Sequence, residues 1–564
     1  MKYIIVGAVA GGASTAARLR RLDEHAEIII FEKGEYISYA NCGLPYYIGN
    51  VIKDRNKLFV QTAAAFNQRF NIDVRVQTEV ISINPNEKTI TARNQINGKT
   101  YIETYDKLVL SPGADPIKPP LPGINNEGIF TLRNVADTDY IKSFVQQKNV
   151  KKAVVIGAGF IGLEMAENLH ELGLNVSIVE MANQVLAPVD YPIAAILQEH
   201  IRSKNVNLFL ETTVTGFEKS DKGIVVQLKD KKSIEADVVI LSIGVRPETR
   251  LAKDAGLTIG NAGGIWVNKY LQTSNPDIYA VGDAIEFTNP ITGLSMNTYL
   301  AGPANKQGRI CANNIALGNK HQYNGAVNTA IVKVFDMTVA TAGTAAKHLD
   351  KCAIKYQLST THNGSHAGYY PGAKQMTIQL AFTPTDGKLL GAQIIGYDGV
   401  DKRIDVLSSV IQRGSSITEL TEFEHAYAPP FSSAKDPINI AAFVAENVLL
   451  NKTKLFYWND INTLPDGSFL LDVRTKEEFE KGAIANAINI PLDELRNNLN
   501  KIPQNKTIYI YCAGGLRGYL SERILIQNGL TDVYNLSGGY QLWNACNSEK
   551  QMFENKNKVA STAY

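Results

Sequence analysis

The first 180 residues contain four short apolar runs. The first and second runs are separated by a stretch with helical spacing, and so are the third and fourth, so that each pair of runs with its stretch forms one copy of a repeated unit. The two copies are about 150 residues apart. Each reads apolar strand, glycine-rich turn, helix, apolar strand, and each ends on an acidic residue, Glu32 or Glu180. This order predicts parallel strands joined by a crossover helix. The four runs are Tyr3–Val6, Ile28–Phe31, Ala153–Ile156 and Val176–Val179.

The two glycine turns point to nucleotide binding. Residues Gly157–Gly162 match G-x-G-x-x-G fully, whereas the first turn keeps Gly7 and Gly12 but has Val9 at the middle position. Such a turn places a pyrophosphate on a helix N-terminus, and the acidic residue at the end of the second strand accepts from a ribose hydroxyl. One degenerate turn alone is weak evidence, but two copies with both acids in place favour two dinucleotide sites.

The pattern changes near residue 325 and again near residue 450. Alternating strands at Ile331–Phe335 and Gln375–Leu380, followed by helices, predict an α+β domain. Asn451–Lys454 reads as a linker, and a separate α/β unit follows with strands at Phe469–Val473 and Thr507–Tyr511. The polar, aperiodic end of the chain predicts a mobile tail.

Composition excludes several classes of function. The chain is 45% apolar and 20% charged with a net charge of +2, so its overall charge gives no reason to bind nucleic acid or a membrane surface. Five scattered cysteines form neither a CxxC pair nor a metal-ligand spacing, and we expect no metal. The sparse cysteines, with a first strand that begins directly after Met1, favour a cytoplasmic protein.

Cys42 carries the most informative chemistry. It lies ten residues beyond Glu32, at the expected start of a helix, where a thiolate is favoured. Disulfide reductases of the glutathione type have a second cysteine five positions later, and here that position is Tyr47. A redox thiol without a resolving cysteine has to form a mixed disulfide, a persulfide or a sulfenic acid with an external atom.

Further motifs in residues 1–320 resemble the two-nucleotide flavoprotein reductases. Thr273–Asp283 looks like their second flavin-contact motif, and Leu108–Gly113 and Val239–Gly244 look like their crossover segments. The resemblance implies FAD and a nicotinamide nucleotide. Because Glu180 repels a 2′-phosphate and no arginine follows it, we expect NADH to be favoured over NADPH. The implied FAD contacts are Gly7, Val9, Ala10, Gly11, Gly12, Glu32, Lys33, Val80, Ser111, Gly113, Arg133, Gly282, Asp283 and Ala301, and the implied NAD(P)H contacts are Gly157, Gly159, Phe160, Ile161, Gly162, Glu180 and Gly244.

Within that superfamily the run Ser38–Tyr46 resembles the coenzyme A-disulfide reductase branch. Glutathione-type enzymes have a base histidine where Tyr427 stands, and single-cysteine oxidases and peroxidases have a histidine at the position of Ala10. The resemblance implies a homodimer in which Tyr427 and one of Tyr369 and Tyr370 approach the Cys42 sulfur. It also implies a coenzyme A groove formed by Ser14, Arg18, Arg21, Ser38 and Asn41, with Arg69, Asn297 and Lys435 as weaker candidates.

The C-terminal unit is similar to a single-domain rhodanese. The loop Cys512–Gly518 follows a strand and precedes a helix expected over Tyr519–Gln527, so backbone N–H groups can converge on the thiol and hold an anion. Arg517 lies in this loop. The resemblance implies that Cys512 carries sulfane sulfur.

Together these patterns predict an α/β protein with two Rossmann-like dinucleotide-binding domains, an α+β dimerisation domain and a C-terminal α/β rhodanese domain. The expected bounds are 1–112 and 245–324 for the FAD-binding domain, 113–244 for the NAD(P)H-binding domain, 325–450 for dimerisation, 455–545 for the rhodanese domain and 546–564 for the mobile tail.

The expected activity is FAD-dependent NAD(P)H reduction of coenzyme A persulfide or polysulfide, releasing hydrosulfide, with a fused sulfurtransferase. Coenzyme A-disulfide reduction remains an alternative for the same site. Two further alternatives are an NADH oxidase or peroxidase, which Ala10 disfavours, and a non-enzymatic redox sensor, which the intact Cys512 loop disfavours.

Overall fold

The computed structural model describes residues 1–561 apart from Lys222, with side chains as far as Met552. The chain divides into two units. Unit 1 comprises residues 1–183 and 206–328, and unit 2 comprises residues 184–205 and the described chain from Thr329 onward. In the described chain, none of the helices is both long enough and apolar enough to cross a membrane.

Residues 1–328 contain the two repeated units found in the sequence. The elements of the first 247 residues are β1 (Lys2–Val6), α1 (Ala10–Leu22), β2 (Glu27–Phe31), α2 (Leu44–Ile48), α3 (Ala63–Phe70), β3 (Asp73–Arg75), β4 (Thr78–Asn84), β5 (Thr89–Asn94), β6 (Thr100–Thr104), β7 (Lys107–Leu110), β8 (Ala114–Pro116), β9 (Ile129–Thr131), α4 (Val135–Gln147), β10 (Lys152–Ile156), α5 (Phe160–Glu171), β11 (Asn175–Val179), α6 (Tyr191–Ser203), β12 (Asn207–Phe209), β13 (Val214–Ser220), β14 (Gly223–Leu228), β15 (Ser233–Ala236), β16 (Val238–Leu241) and β17 (Val245–Pro247). They are followed by α7 (Arg250–Asp254), β18 (Ile265–Trp266), β19 (Ile278–Ala280), β20 (Ile285–Thr288), β21 (Ser295–Met296) and α8 (Ala301–Leu317).

Two parallel five-stranded sheets organise unit 1. The first has the order β19-β7-β1-β2-β3 and the second the order β12-β11-β10-β16-β9. In both sheets the first strand of the repeat pairs in parallel with the second, Lys2 opposite Glu27 and Lys152 opposite Asn175. Strands covered on both faces are apolar throughout, which is why Ile4, Ile5 and Val155 are fully buried. The prediction of two doubly wound dinucleotide domains is confirmed.

Unit 2 contains α6 and two further sheets. One is antiparallel with the order β22-β23-β26-β25-β24, and the other is parallel with the order β27-β31-β30-β28-β29. The predicted α+β domain and C-terminal α/β unit are thereby confirmed. The remaining elements are β22 (Ala330–Val334), β23 (Met337–Gly343), α9 (Ala346–Lys351), β24 (Gln357–Gly364), β25 (Gln375–Phe382), β26 (Leu389–Gly396), α10 (Val400–Arg413), α11 (Pro437–Leu449), β27 (Leu455–Phe456), β28 (Phe469–Asp472), α12 (Lys476–Glu480), β29 (Ile488–Asn489), α13 (Leu492–Leu495), β30 (Ile508–Tyr511), α14 (Leu516–Gln527), β31 (Val533–Leu536) and α15 (Gly539–Ser561).

The expected mobile tail starts too early. Residues 546–561 continue α15, and Cys546 and Glu549 are buried. The Glu549 carboxylate accepts hydrogen bonds from Gln198 and Arg202 of α6, at 2.9 and 3.1 Å. A buried carboxylate with two donors explains why this polar stretch is ordered. Residues 562–564, the rest of the expected tail, lie outside the described residues.

The linker at Asn451–Lys454 is also fixed to its neighbours. Glu522 of α14 is fully buried and accepts a hydrogen bond from the Lys454 N–H at 2.9 Å and another from the Thr453 hydroxyl. Arg523 donates to the Lys452 carbonyl at 2.6 Å. The rhodanese-like unit is therefore held where it joins α11.

Candidate active site

The two glycine turns of unit 1 have the same construction. Gly7 and Gly157 have φ of +97° and +98°, and a Cβ at Gly12 or Gly162 would collide with the carbonyl oxygen of the first glycine of its turn. Only glycine fits these positions. Both turns lead directly into a helix, α1 or α5, whose first N–H groups can meet a phosphate.

The two acidic residues are held in matching ways. Glu32 accepts from the Ala8 N–H at 2.9 Å, and Glu180 accepts from the Ala158 N–H at 2.8 Å. Each also accepts from a backbone N–H two residues further on, Gly34 or Ala182. Both carboxylates are thereby fixed at the edge of a glycine turn, where a ribose diol would lie.

A cavity of about 470 Å³ opens along the first glycine turn. Twelve of the fourteen expected FAD contacts line it; Gly12 lies behind Gly7, and Ala301 is at the exposed start of α8. The Asn41 Oδ1 atom, in the same lining, is buried without a hydrogen-bond partner among the described residues. A buried acceptor without a donor suits a ligand rich in N–H and O–H groups, so the residues present fit FAD. The expected contacts in the lining are Gly7, Val9, Ala10, Gly11, Glu32, Lys33, Val80, Ser111, Gly113, Arg133, Gly282 and Asp283.

Asp283 is the acidic group on the far side of this cavity. Burial raises the pKa of its carboxyl, and the positive charge of Arg133 partly opposes that rise. The main-chain N–H of Gly282, next to it, donates to the Gln307 side chain at 2.7 Å, which anchors the turn to α8. Asp283 is placed to accept from a sugar-alcohol hydroxyl.

The expected NAD(P)H contacts cluster at the start of α5. Gly159 is the N-cap residue, Phe160 and Ile161 form the first turn, and Ile161 is exposed. Gly244 has a φ of +111° and its carbonyl accepts from the Ile117 N–H at 3.0 Å, so it closes the crossover between the two nucleotide domains.

Cys42 lies in a 3-10 turn, Asn41–Gly43, and not in the helix itself, which starts at Leu44 and is five residues long. The side chain is exposed. Nevertheless the pKa of its thiol is raised, first by the protein atoms that enclose the sulfur and then by the negative charges of Glu164 and Asp283. The expectation that a helix N-terminus would lower this pKa is therefore wrong for the protein alone, because enclosure and two carboxylates outweigh a short turn.

Glu164 is a group that the sequence analysis missed. It lies on α5, and the Tyr46 hydroxyl of α2 donates to its Oε1 at 3.4 Å. Burial raises the pKa of Glu164 to about 7, with a further contribution from Glu167. The helix that follows Cys42 therefore packs against a carboxyl group that changes charge near neutral pH.

Three arginines collect on the surface formed by α1 and α8. The pKa of Arg18 is lowered by desolvation and by repulsion from Arg309 and Arg21, so the three guanidinium groups are close together. Arg18 also donates to Asn313 at 2.9 Å, and the Ser14 hydroxyl donates to Asn305. Arg309 was not predicted. A cluster of like charges on neighbouring helices is a suitable place for phosphate groups.

The other expected coenzyme A contacts differ in their surroundings. Ser38 adopts a φ of +45° and its carbonyl accepts from the Val60 N–H, so it shapes the loop before Cys42. Arg69 is exposed on α3. The Asn297 amide donates to the Ile285 carbonyl at 2.9 Å, which gives that side chain a structural partner. Lys435 is exposed in unit 2 just before α11.

In unit 2 the Tyr369 and Tyr427 hydroxyls are 2.6 Å apart, and Tyr369 is 75% exposed. The hydrogen bond to Tyr369 raises the pKa of Tyr427. Tyr370 instead lies edge-on to the His366 ring. Tyr369 is therefore the partner of Tyr427. The two adjacent tyrosines lie in a turn, and their side chains meet different neighbours.

Cys512 lies at the carboxyl end of β30 in a loop built to hold an anion. Its sulfur accepts from the Gly515 N–H at 3.0 Å. The carbonyls of Cys512 and Ala513 accept from the first N–H groups of α15, at 2.8 and 3.0 Å, and the Gly515 carbonyl accepts from Asn535 at 3.1 Å. Because these carbonyls are occupied on the outer side, the loop can direct N–H groups toward the sulfur.

Arg517 lies in the first turn of α14, next to this loop. The helix starts at Leu516, three residues earlier than predicted. Its two terminal nitrogens donate to the two carboxylate oxygens of Glu478, at 2.6 and 2.7 Å. This bond lowers the pKa of Glu478 to about 2, so the carboxylate is ionised at neutral pH. The expected anion-holding arginine is thus already paired.

The Cys512 loop is supported by the antiparallel sheet of the same unit. The His362 imidazole of β24 has its Nε2 2.9 Å from the Gly538 carbonyl and its Nδ1 3.1 Å from the Gln375 amide nitrogen, which can only donate. Nε2 therefore carries the proton and donates to Gly538. Burial lowers the pKa of His362, which keeps the ring neutral.

Comparison with known proteins identifies the family. The model of the pyridine nucleotide-disulphide oxidoreductases matches residues 1–308, that of their dimerisation domain matches 329–437, and that of the rhodanese-like domain matches 458–546. The chain belongs to the pyridine nucleotide-disulphide oxidoreductase family. Membership implies FAD and NAD(P)H as cofactors, in agreement with the two glycine turns and the cavity.

Three relatives of this oxidoreductase cover most or all of the chain. The coenzyme A disulfide reductase of Staphylococcus haemolyticus is 38% identical over 79% of the chain and all of the relative. The crystal structure of reduced CoADR-RHD from Bacillus anthracis is 48% identical, with a TM-score of 0.95 over 97% of this chain and 98% of that one. A NAD-dependent persulfide reductase from A. fulgidus is 37% identical, with a TM-score of 0.89 over 96% and 100%.

Proposed function

We propose that this flavoprotein uses NADH to reduce sulfane sulfur carried on coenzyme A, as a persulfide or polysulfide, and releases hydrosulfide. One observation supports this best. Cys42, which has no second cysteine five positions later, shares a chain with Cys512, whose sulfur accepts a hydrogen bond from the Gly515 N–H in a rhodanese-like domain. Two relatives that span nearly the whole chain are named as CoADR-RHD and as a persulfide reductase.

The Cys42 thiolate attacks a sulfur of coenzyme A persulfide. Attack on the inner sulfur breaks the S–S bond, releases hydrosulfide and leaves a mixed disulfide with coenzyme A; attack on the outer sulfur leaves a Cys42 persulfide and free coenzyme A. When bound, FAD supplies the route by which the electron pair of NADH reaches the Cys42 adduct. Either path converts one persulfide, one NADH and one proton to coenzyme A, hydrogen sulfide and NAD⁺.

Because the pKa of the Cys42 thiol is raised, the proposed mechanism needs neighbouring groups that help to form the thiolate. Glu164 of α5 and Tyr46 of α2 are hydrogen-bonded to each other, and each interacts electrostatically with Cys42. With a pKa of about 7, Glu164 can take up or release a proton as charge develops on the sulfur. Tyr369 and Tyr427 are the phenols expected to approach this thiol in a homodimer, a role that their hydrogen-bonded hydroxyls fit.

Coenzyme A is the proposed carrier because of the arginine cluster. Arg18, Arg21 and Arg309 present several positive charges to one region of the surface, next to Ser14. We expect Arg18→Gln to raise the KM for coenzyme A persulfide by about tenfold with little change in kcat, since phosphate contacts act in binding. Arg496→Gln, in the rhodanese-like domain, is the matched control. Equal KM values for wild type and Arg18→Gln would contradict the assignment.

NADH is the proposed reductant because the fixed Glu180 carboxylate opposes a 2′-phosphate. Glu180→Ala is expected to narrow the difference between NADH and NADPH in kcat/KM. A wild-type enzyme that prefers NADPH would show that this selection argument is wrong.

Coenzyme A disulfide is the second candidate substrate, favoured by the name of the relatives that match 79% of the chain. Anaerobic stopped flow separates the candidates. The NADH-reduced enzyme is mixed with coenzyme A persulfide, coenzyme A disulfide or peroxide, and flavin reoxidation is followed by absorbance. Persulfide is expected to react fastest; a faster disulfide reaction would make the reductase of coenzyme A disulfide the main activity, and a faster peroxide reaction would overturn both.

A further inference from the structure

The ion pair between Arg517 and Glu478 reduces the positive charge near Cys512. Arg517 is close enough to Cys512 for the two to interact electrostatically, yet its main partner is the Glu478 carboxylate. The interaction is bidentate: each terminal nitrogen of Arg517 donates to a different carboxylate oxygen of Glu478. A bidentate guanidinium–carboxylate pair is strong and directional, so Arg517 offers little free positive charge to a ligand.

Glu478 is also anchored from its own helix. Its carboxylate accepts from the Thr475 N–H at 2.9 Å, and its N–H donates to the Thr475 hydroxyl at 3.3 Å, which together form a capping box at the start of α12. The Thr475 N–H therefore holds the carboxylate in front of Arg517. Moving the carboxylate aside for an incoming anion would break this hydrogen bond as well as the two bonds to Arg517.

The other ionised groups around the loop are paired too. Arg474, which follows β28, is buried and donates to the Asp472 carboxylate at 2.6 Å, and it stacks on the Tyr540 ring of α15. His362 behind the loop is neutral. Arg474 and Arg517 are therefore each paired with a carboxylate, Asp472 and Glu478 respectively.

Apolar side chains next to Arg517 are exposed. Leu516 and Leu520 are one turn apart on one face of α14 and are 71% and 44% exposed. Exposed apolar surface gains nothing from a small dianion such as thiosulfate, but it can bury part of the alkyl chain of an organic persulfide.

We propose that Glu478 sets the donor specificity of Cys512: by neutralising Arg517, it selects persulfides of organic thiols, whose S–SH group carries at most one negative charge, over the thiosulfate dianion. The proposal rests on the assignment of Cys512 as a sulfur acceptor. The Cys512 thiolate attacks the outer sulfur of the persulfide; the S–S bond breaks, the thiol leaves with the proton, and Cys512 carries the new persulfide. No net oxidation or reduction occurs.

Chemical labelling tests the charge at Cys512 without relying on its activity. Iodoacetate and iodoacetamide alkylate thiolates in the same way, but only iodoacetate is an anion. In the holoenzyme, modification of the Cys512 peptide is followed by mass spectrometry. Glu478→Gln keeps a side chain that can cap Thr475, and it is expected to raise the iodoacetate to iodoacetamide rate ratio by about fivefold at low salt and less at high salt.

Glu477→Gln is the matched control, because it removes the same charge from the adjacent position of α12 and should leave the ratio within a factor of two. An unchanged ratio in Glu478→Gln would overturn the proposal. Unfolding temperatures of both variants show whether the capping box has survived; if that of Glu478→Gln falls while its ratio stays at the wild-type value, the proposal is likewise overturned.

Sulfur transfer to cyanide provides the second measurement. For Glu478→Gln we expect kcat/KM with thiosulfate to rise by about tenfold and kcat/KM with an alkyl persulfide to change by less than about threefold. A parallel loss with both donors would mean that Glu478 only positions Arg517, and the specificity proposal would be wrong. If the wild type transfers sulfur from neither donor, the sulfurtransferase assignment fails, while the labelling ratio still decides whether Glu478 controls the charge.

Discussion

The two thiol sites of this molecule, Cys42 and Cys512, lie in different electrostatic surroundings. Around Cys42 the neighbouring ionisable groups are acidic, and together with enclosure they hold the thiol pKa above its usual value. Around Cys512 the backbone supplies an N–H to the sulfur, and the charged side chains cancel in pairs. Enclosure and the two carboxylates oppose the thiolate at the first site, whereas at the second site a backbone N–H donates to the sulfur.

The largest expected effect comes from removing the thiol of the first site. Cys42→Ser should lose NADH-dependent persulfide reduction by roughly a thousandfold or more, because no other nucleophile replaces it. The purified variant should retain its bound FAD, since the glycine turn and Glu32 that are expected to hold the nucleotide are unchanged. Cys352→Ser removes a thiol with no expected role and serves as the control. Wild-type turnover in Cys42→Ser would remove the basis of the proposed mechanism.

The reciprocal substitution tests whether the second site is a sulfur carrier. Cys512→Ser should abolish sulfur transfer to cyanide, yet it should retain part of the reduction of a small persulfide that diffuses to Cys42. Reduction of a bulky or protein-bound persulfide should depend on Cys512. Hydrosulfide release from a small and a large donor measures both. If neither donor is affected, the rhodanese domain does not relay sulfur, and the coenzyme A disulfide activity gains support.

The Cys512 loop should depend on the sheet behind it. His362→Phe leaves the Gly538 carbonyl without its donor, and we expect a loss of about 1–3 kcal/mol in the free energy of unfolding and a several-fold lower rate of sulfur transfer. Reduction of a small persulfide at Cys42 should stay near the wild-type rate. Thr377→Val removes the hydroxyl on the other ring nitrogen and should have the smaller effect. Equal rates of sulfur transfer in His362→Phe and wild type would show that the loop keeps its conformation without the hydrogen bond from His362.

The smallest expected effect is a shift in the titration of Cys42. The groups that face it are Glu164 of α5, Asp283 after β19 and Tyr46 of α2. A carboxylate opposes the thiolate, so Glu164→Gln should lower the pKa of the Cys42 thiol. The difference should be full above pH 7, where Glu164 is ionised, and should vanish below it.

The pH dependence of iodoacetamide labelling of the Cys42 peptide measures this shift. Glu171→Gln, at the exposed end of α5, is the control. A titration that moves to higher pH in Glu164→Gln, or one that Glu171→Gln moves equally, would contradict the local charge argument.

The features of the sites that could be predicted from the sequence are those whose residues are close together along the chain. The glycine turns, Glu32 and Glu180 are set by spacings within about 25 residues, and the Cys512 loop lies between a strand and a helix, so local pattern was sufficient. The domain order follows from the change of strand and helix periodicity along the chain. These features are properties of short segments.

The remaining features depend on long-range contacts. Glu478 meets Arg517 across 39 residues and His362 meets Gly538 across 176, and no local pattern relates these residues. Arg309 joins Arg18 only because α8 packs on α1. Likewise, Tyr369 could be preferred to Tyr370 only once their segment was known to be a turn. The raised pKa of Cys42 escaped prediction because it depends on which carboxylates tertiary packing brings near.

The bond between Glu549 and α6 has a consequence for biosynthesis. Glu549 is translated 351 residues after Gln198, so α6 has left the ribosome long before the helix that covers it exists. Folding of unit 2 can be completed only after α15 emerges. A chain cut short before Glu549 would leave the face of α6 that α15 covers open to chaperones and degradation enzymes.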